Sequence, residues 1–292
     1  MLKKVITLSM IAMFMLVAVA CGGGNATPSD TPAPTPNNEQ PARAPKELSG
    51  NIDIAGSTSV QPIAEELAML FMEENRGVRI NVSGGGSGAG IEAAGNGAAD
   101  IGMSSRALKQ EEFDKFVGIK DITICQDGIS VIVHPNSPMK DITIEQVKAI
   151  YAGEVTNWKE VGGPDVAITV VTREEGSGTR GAFEEIVLGK TPMTQKVTVQ
   201  SSTGAVRTAV AADVNAIGYV SMGSMSDDVR ALVVDGAEAT AANVQNGNYK
   251  ISRPFLFLVE GEMDEVSQAF VDYILSADGQ EIIAKEGFIS VN

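Results

Sequence analysis

Three short glycine- and serine-rich segments each follow a predicted strand and precede a predicted helix. They read GSTS at residues 56–59, SGGGSG at residues 83–88 and GSGT at residues 176–179. In open α/β sheets, turns at the carboxyl ends of strands line the ligand crevice. Each such turn presents a helix N-terminus, whose unpaired N–H groups and partial positive charge suit an anion. Ser and Thr also favour helix N-caps in the absence of any ligand. The residues alone therefore leave two interpretations open, an oxyanion site and simple capping.

The chain beyond residue 48 alternates between strand and helix patterns. A strand at residues 51–55 precedes a helical stripe of Ile63, Leu67, Leu70 and Phe71, with Pro62 in its first turn. The same alternation continues to a strand at residues 253–259 and a helical region at residues 266–284. Residues 121–133 contain two strand-like runs, which the sequence predicts to be broken at Asp127-Gly128. The alternation predicts an α/β fold with mainly parallel sheets and helices on both faces.

The N-terminus has the pattern of an export signal. Lys3 and Lys4 precede an uncharged run at residues 5–20, which is shorter than the ~20 residues that span a bilayer as a helix. The run ends in AVAC at residues 18–21, which resembles a bacterial lipobox whose Cys21 becomes diacylated. An ordinary signal peptide with a chance Cys is the alternative. We expect residues 1–21 to be a lipoprotein signal peptide and residues 22–47, rich in Pro and Thr, to be a disordered tether.

The charge of the chain excludes several classes of partner. Lys and Arg number 22 against 37 Asp and Glu, and removal of Lys3 and Lys4 takes the formal charge from −15 to −17. Such an acidic chain is unsuited to nucleic acid or to docking on anionic lipid through a basic face. With His134 as its one His and two Cys, it has little room for a His-rich metal site. We expect neither a metal nor another cofactor.

No catalytic motif emerges from the sequence. It contains no Gly-Lys-Ser/Thr of a P-loop and no serine with glycines at both −2 and +2, as a nucleophile elbow requires. Paired carboxylates such as Glu65 and Glu66 lie on predicted helix faces, where a solvated surface explains them. Cys125 is better explained as a small buried residue than as a nucleophile. We therefore expect a protein that is not an enzyme.

Six motifs in order resemble those of the phosphate-binding lipoproteins of the PstS type, which serve phosphate ABC importers. They are AGSTSVQP from residue 55, SGGGSGAGI from 83, ADIGMSSRALK from 99, QVKAIYAGEVTNW from 146, VVTREEGSGTRGAF from 170 and NAIGYVS from 215. The resemblance spans residues 49–292. It implies a type II periplasmic-binding-protein fold, in which two α/β lobes with mixed, mainly parallel sheets are joined by two hinge crossovers. We expect lobe 1 to comprise residues 48–131 and 225–292, and lobe 2 to comprise residues 132–224.

The resemblance also implies a set of phosphate contacts, which carry over position by position. The three turns and Arg173 would supply hydroxyl, N–H and guanidinium donors. The residues are Thr58, Ser59, Ser87, Ser105, Arg173, Ser177, Gly178 and Thr179, with Ser57, Gly204 and Arg106 as further candidates. Glu175 stands where the family often has an acid that pairs with this Arg.

Position 105 departs from the family pattern. Many members have Asp there, which accepts the proton of hydrogen phosphate and repels a fully ionised anion such as sulfate. Ser105 can still accept one hydrogen bond, so binding should survive better than discrimination between phosphate and sulfate. Arg106 either turns inward as a second cation or lies at the surface where a helix begins.

The resemblance implies an extracytoplasmic protein that captures inorganic phosphate and delivers it to an ABC permease and ATPase complex. The body would be monomeric and held at the outer face of the cell membrane through lipid on Cys21, including palmitate. Three alternatives remain: a binding protein for sulfate or molybdate, a membrane-anchored hydrolase, and a surface protein that keeps the fold without transport.

Overall fold

The computed structural model describes residues 47–291. The predicted signal peptide, Cys21 and residues 22–46 of the predicted tether lie outside this range. The strands are β1 Ser49–Gly56, β2 Gly77–Gly84, β3 Ile101–Ser104, β4 Ile119–Val133, β5 Asp141–Ile142, β6 Thr169–Arg173, β7 Thr198–Gln200, β8 Ala216–Ser221, β9 Arg230–Ala231, β10 Val233–Val234 and β11 Ser252–Glu260. The α-helices are α1 Gln61–Glu74, α2 Ser87–Gly95, α3 Gln110–Lys115, α4 Ile144–Ala152, α5 Gly178–Phe183, α6 Thr203–Ala211, α7 Ala241–Gln245, α8 Glu265–Leu275 and α9 Ala277–Lys285.

The main sheet is mixed, in the order β2-β1-β3-β11-β4-β8-β6-β7, with β9 beside β4. Pairing is parallel at both ends, where β1 joins β2 and β3, and where β6 joins β7 and β8. It is antiparallel in the middle, where β11 and β4 run beside β3, each other and β8. This arrangement confirms the predicted α/β fold with mixed sheets.

Strand β4 connects the two ends of the sheet. Its residues up to Gly128 pair with β11, and those from Ile129 onward pair with β8. The predicted break at Asp127-Gly128 is therefore wrong. The chain stays extended there and changes its partner, because the hydrogen bonds that β11 provides up to Gly128 are replaced by those of β8.

Two hydrophobic cores lie on either side of this change of partner. One contains Ile52, Phe71 and Phe270, and the other contains Tyr151 and Phe183 among its largest side chains. We call residues 47–128 with 252–291 the first half, and residues 129–251 the second half.

The second half, as defined by its core, extends to residue 251. Leu232, Val234 and Ile251 pack into the second core, and the Tyr249 hydroxyl donates to Ile129 O at 2.7 Å. The packing thus assigns residues up to 251 to the second half, and the lobe boundaries at 131/132 and 224/225 stay predictions. The reason is burial, since these apolar side chains reach the second core and not the first.

Within residues 47–291, no helix combines the length and apolar composition that crossing a membrane requires.

Candidate oxyanion site

The first two glycine-rich turns lie side by side because their strands are parallel neighbours. Gly56 ends β1 with φ of +140°, and a Cβ at this position would meet Met103 O at 2.3 Å. The Gly56 carbonyl accepts hydrogen bonds from Gly85 N at 2.7 Å and Gly86 N at 2.9 Å. The two turns are therefore joined through their backbones, and their side chains face one space.

Three serine hydroxyls meet where these turns approach the end of β3. Ser57 Oγ donates to Ser105 Oγ at 2.9 Å. Ser105 N donates to Ser87 Oγ at 3.0 Å, and the Ser87 and Ser105 hydroxyls lie 3.3 Å apart. All three side chains are buried. The structure thus brings together one predicted residue from each of the three strand ends of the first half.

The remaining residues of the first turn contact the second half. Ser59 Oγ lies 2.7 Å from Thr179 Oγ1 and 2.8 Å from Thr203 Oγ1. Thr58 Oγ1 accepts from Thr203 N at 3.2 Å. These bonds connect residues more than a hundred positions apart, so the two halves touch through hydroxyl groups.

The third turn closes the cluster from the second half. Ser177 caps α5, and its hydroxyl accepts from Arg180 N at 3.3 Å. Gly178 lies directly against the first half, since a Cβ there would stand 2.1 Å from Ser87 Oγ and 2.7 Å from Ser105 Oγ. Gly88 N, in the first turn of α2, donates to Gly176 O at 2.9 Å. Only a residue without a side chain allows this approach at position 178.

Arg173 brings the positive charge, at the end of β6. Its side chain is 2% exposed, and Nη1 donates to Thr203 Oγ1 at 3.1 Å. Nε and Nη2 donate to the two carboxylate oxygens of Glu174, each at 2.8 Å. The predicted pairing of Arg173 with Glu175 is wrong, since Glu175 is exposed. Its neighbour Glu174 forms the ion pair, because Glu174 directly follows the strand that positions Arg173.

Two further candidates lie differently from the rest. Gly204 is exposed, and Thr203 is the residue of its turn that reaches the hydroxyl groups. Arg106 does not reach them either, because its Nη1 and Nη2 hold the two carboxylate oxygens of Glu112 at 2.8 and 2.6 Å. The Arg106 side chain is 12% exposed, so it is largely covered, but its charge is paired with Glu112 and not with the hydroxyl groups.

We call the assembled group the hydroxyl cluster. It comprises Ser57, Thr58, Ser59, Ser87, Ser105, Arg173, Ser177, Gly178, Thr179 and Thr203. Its polar groups are mostly donors, namely hydroxyls, N–H groups at helix N-termini and one guanidinium. Such a set can surround a tetrahedral oxyanion, with Arg173 offering the charge-assisted contact. Among residues 47–291, no group of three or more His, Cys, Asp or Glu side chains is arranged to hold a metal ion.

A buried ion pair stands directly behind the cluster. Arg253 Nη2 and Nε donate to Asp127 Oδ2 at 3.0 and 3.3 Å, and Arg253 Nη1 donates to Ser105 O at 3.2 Å. Burial raises the pKa of Asp127 to about 6, against the opposing effects of Arg253 and of hydrogen bonds from Ser221 and Met222. Burial also lowers the pKa of Arg253.

Sequence reasoning missed four residues of this region: Thr203, Glu174, Asp127 and Arg253. A signal existed for Thr203, since Ser202-Thr203-Gly204 is a fourth turn of the same kind as the first three. No local pattern marks Asp127 and Arg253, which become partners through strand register alone.

Comparison with known proteins agrees with this geometry. The PBP superfamily domain matches residues 35–278. The chain is 33% identical over 291 residues to the phosphate-binding protein PstS of Bacillus subtilis, and the match covers 99% of this chain and 94% of the relative. The chain belongs to the PstS family. The resemblance predicted from the six motifs is thereby confirmed.

Solved structures of this family share the fold. A substrate-binding protein of Clostridium perfringens with bound phosphate is 46% identical, with a TM-score of 0.81 over 83% of this chain and 100% of that one. An ABC-type phosphate transport receptor of Vibrio cholerae is 35% identical, with a TM-score of 0.68 over 82% and 99% of the two chains. The predicted fold class is thus confirmed for this PstS-family chain.

Proposed function

We propose that the chain captures inorganic phosphate in the hydroxyl cluster and delivers it to an ABC importer. The observation that supports this most strongly is the meeting of buried hydroxyls from four helix N-termini, one of which, that of Thr203, contacts Arg173. Each hydrogen bond to a charged acceptor contributes about 1.5–3 kcal/mol. A phosphate that accepts several of them at once gains enough to offset its desolvation. The family membership and the bound phosphate of the Clostridium perfringens relative support the same ligand.

Capture involves separation and closure of the two halves, which act as the two predicted lobes. Ser59, Thr179 and Thr203 are buried against one another across the halves, so an anion reaches them only when the halves part. Strand β4 runs from one half to the other and provides one crossover, and the chain crosses back between residues 251 and 252, where β11 begins. Phosphate bridges donors of both halves only in the closed form, and it therefore shifts the population toward closure.

The finer parts of the proposal concern location and partners. The body is monomeric, is tethered at the outer face of the cell membrane through lipid on Cys21, and hands phosphate to a permease and ATPase complex. It performs no catalysis. Labelling of cells with a radioactive fatty acid tests the anchor: label should enter the wild-type chain and not a Cys21→Ala variant.

Isothermal titration calorimetry with phosphate tests the site. We expect Arg173→Ala and Ser177→Ala each to weaken binding by at least about tenfold, because each loses a donor to a charged acceptor. Arg207→Ala is the matched control, since Arg207 pairs with Asp228 and donates to Ser224 O instead of joining the cluster. Unchanged affinity in both cluster variants would contradict the site.

Ser105 supports a second candidate ligand class, the fully ionised tetrahedral oxyanions such as sulfate or molybdate. The described hydroxyl cluster contains no carboxylate at this position to repel them. A thermal-shift panel of phosphate, sulfate and molybdate separates the candidates, because a ligand that binds the folded state raises the melting temperature. We expect phosphate to give the largest rise, and a larger rise with another anion would reassign the ligand.

A further inference from the structure

Asp127 and Arg253 occupy facing positions on β4 and β11, next to the two points where the chain crosses between the halves. They are register partners in β4 and β11, one pair before Gly128 and Ser252, where β4 leaves β11 for β8. Their side chains are 0% and 2% exposed. Buried ion pairs of this kind are costly to desolvate and are weak contributors to stability. Their position beside the hydroxyl cluster suggests a different role.

Arg253 fixes the orientation of Ser105. Its Nη1 engages the Ser105 carbonyl at 3.2 Å, while Ser105 N donates to Ser87 Oγ and Ser105 Oγ accepts from Ser57. The carbonyl lone pairs are thus directed at a guanidinium, and the N–H and hydroxyl are directed at the cluster. A carbonyl oxygen facing an oxyanion would repel it, so this orientation favours binding.

The ion pair is also oriented as a dipole. Asp127 is held from the far side, where Ser221 Oγ donates to its Oδ1 at 2.8 Å, and the Met222 N–H also contributes. The guanidinium end lies at Ser105. Burial is the largest cause of the lowered pKa of Arg253, and the charge of Arg173 adds to it. Two guanidinium groups therefore act on the same region, one inside the cluster and one behind it.

We propose that Arg253, held in place by Asp127, is a positioning residue that sets anion affinity on the Ser105 side of the cluster. This inference rests on the proposed function. Arg253 acts through the Ser105 peptide and through the positive end of the buried pair, without touching the ligand. It supplies attraction at the position where many family members carry an Asp.

Calorimetry with phosphate on the full-length body tests this role. We expect Arg253→Gln to weaken binding by at least about fivefold, since a charge-assisted hydrogen bond to the Ser105 carbonyl is lost. Arg253→Lys keeps the charge, and we expect it to recover at least about half of the lost factor on a logarithmic scale. A purely structural role would show no such rescue. Arg230→Gln is the matched control, because Arg230 also donates to two backbone carbonyls, of Ser137 and Met139, outside the cluster.

A second variant guards against unfolding. Removing one partner of a buried pair leaves an uncompensated charge, whereas Asp127→Asn/Arg253→Gln keeps size and hydrogen bonding without either charge. Where Arg253→Gln does not fold, the double variant is judged by the same fivefold threshold. A smaller loss, or a loss that Lys does not rescue, overturns the inference. If Arg173→Ala loses binding while the Arg253 variants bind normally, this inference is contradicted and the proposed function is left intact. A wild-type protein without phosphate affinity would contradict both.

Discussion

At position 105 a serine hydroxyl is surrounded by other hydrogen-bonding groups in a fully buried site. Ser57 Oγ donates to it, and Ser87 Oγ lies 3.3 Å away. A hydroxyl both donates and accepts, so it adapts to a protonated or an unprotonated oxygen of a ligand. An aspartate could only accept from the ligand and would repel an oxygen without a proton. The chemistry of this one side chain therefore bears directly on selectivity.

Replacing Ser105 should change selectivity in a predictable direction. We expect Ser105→Asp to weaken sulfate at least about tenfold more than phosphate, because the added charge repels the anion that has no proton to share. Ser105→Asn, of equal size and without charge, should weaken both anions alike. The measurement is the ratio of the two dissociation constants by calorimetry. An equal ratio in the Asp and Asn variants would show that size alone matters here.

Asp127 should make stability depend on pH. Burial raises its pKa from 3.8 to about 6, so the folded chain takes up a proton at pH values where the unfolded chain remains ionised. Its contribution to the free energy of unfolding therefore increases as pH falls through 6. The contribution levels off below the pKa that Asp127 has in the unfolded chain. Burial raises the pKa of the neighbouring Cys125 thiol and Tyr249 hydroxyl, which stay protonated in this range.

Comparison with Asp127→Asn isolates this group from the other carboxylates. We expect the melting temperature of the wild-type protein minus that of the variant to be larger at about pH 4.5 than at about pH 7.5. Differential scanning calorimetry without added anions measures both. A difference that is constant or smaller at the lower pH would contradict the raised pKa.

At the scale of elements, the helix starts were predictable because their signals are local. Gly56 to Ser59 and Gly176 to Thr179 lie at the beginnings of helices in the structure as predicted, and Pro62 lies in the first turn of α1. The partner change of β4 and the packing of residues 232–251 into the second core were not predictable, because both depend on which distant segment supplies hydrogen bonds and burial. For the same reason no local sequence signal pointed to Arg253, whose role follows from its register with Asp127.

The N-terminus of α5 has a steric requirement that α6 lacks. Gly178 faces the Ser87 and Ser105 hydroxyls without space for a Cβ, whereas a Cβ on Gly204, in the first turn of α6, would meet nothing within 4 Å. We expect Gly178→Ala to weaken phosphate binding at least about tenfold by holding the halves apart. Gly204→Ala is the control and should bind normally in the same calorimetric titration. Normal binding by both variants would show that the cluster accommodates the methyl group.

At the scale of the whole molecule, an acidic chain carries a site for an anion. The formal charge of −15 for 22 basic and 37 acidic residues repels phosphate at long range. The buried donors act only at hydrogen-bond distance, where net charge matters little. The acidity therefore makes polyanionic surfaces unfavourable partners without excluding one small anion.

Because the repulsion acts at long range and the hydrogen bonds act only at contact, the association rate should respond to salt through the repulsion. We expect the rate constant for phosphate to stay flat or to rise with salt between about 20 and 500 mM, because screening weakens the repulsion. Stopped-flow fluorescence of a dye-labelled variant measures it, with sodium chloride as the added salt. A rate that falls steeply with salt would indicate a local positive field at the cleft entrance that outweighs the acidic chain.

The hydrogen bond from Gly88 N to Gly176 O makes the exchange rate of the Gly88 amide proton a measure of how often the two halves separate. The Gly88 amide lies in the first turn of α2, where no carbonyl of its own helix can accept it, and the acceptor belongs to the opposite half. Its deuterium uptake is therefore slowed only while the halves touch. Followed by mass spectrometry or NMR, this single proton reports how often the unaltered protein opens, and saturation with ligand should slow its exchange without any probe attached to the chain.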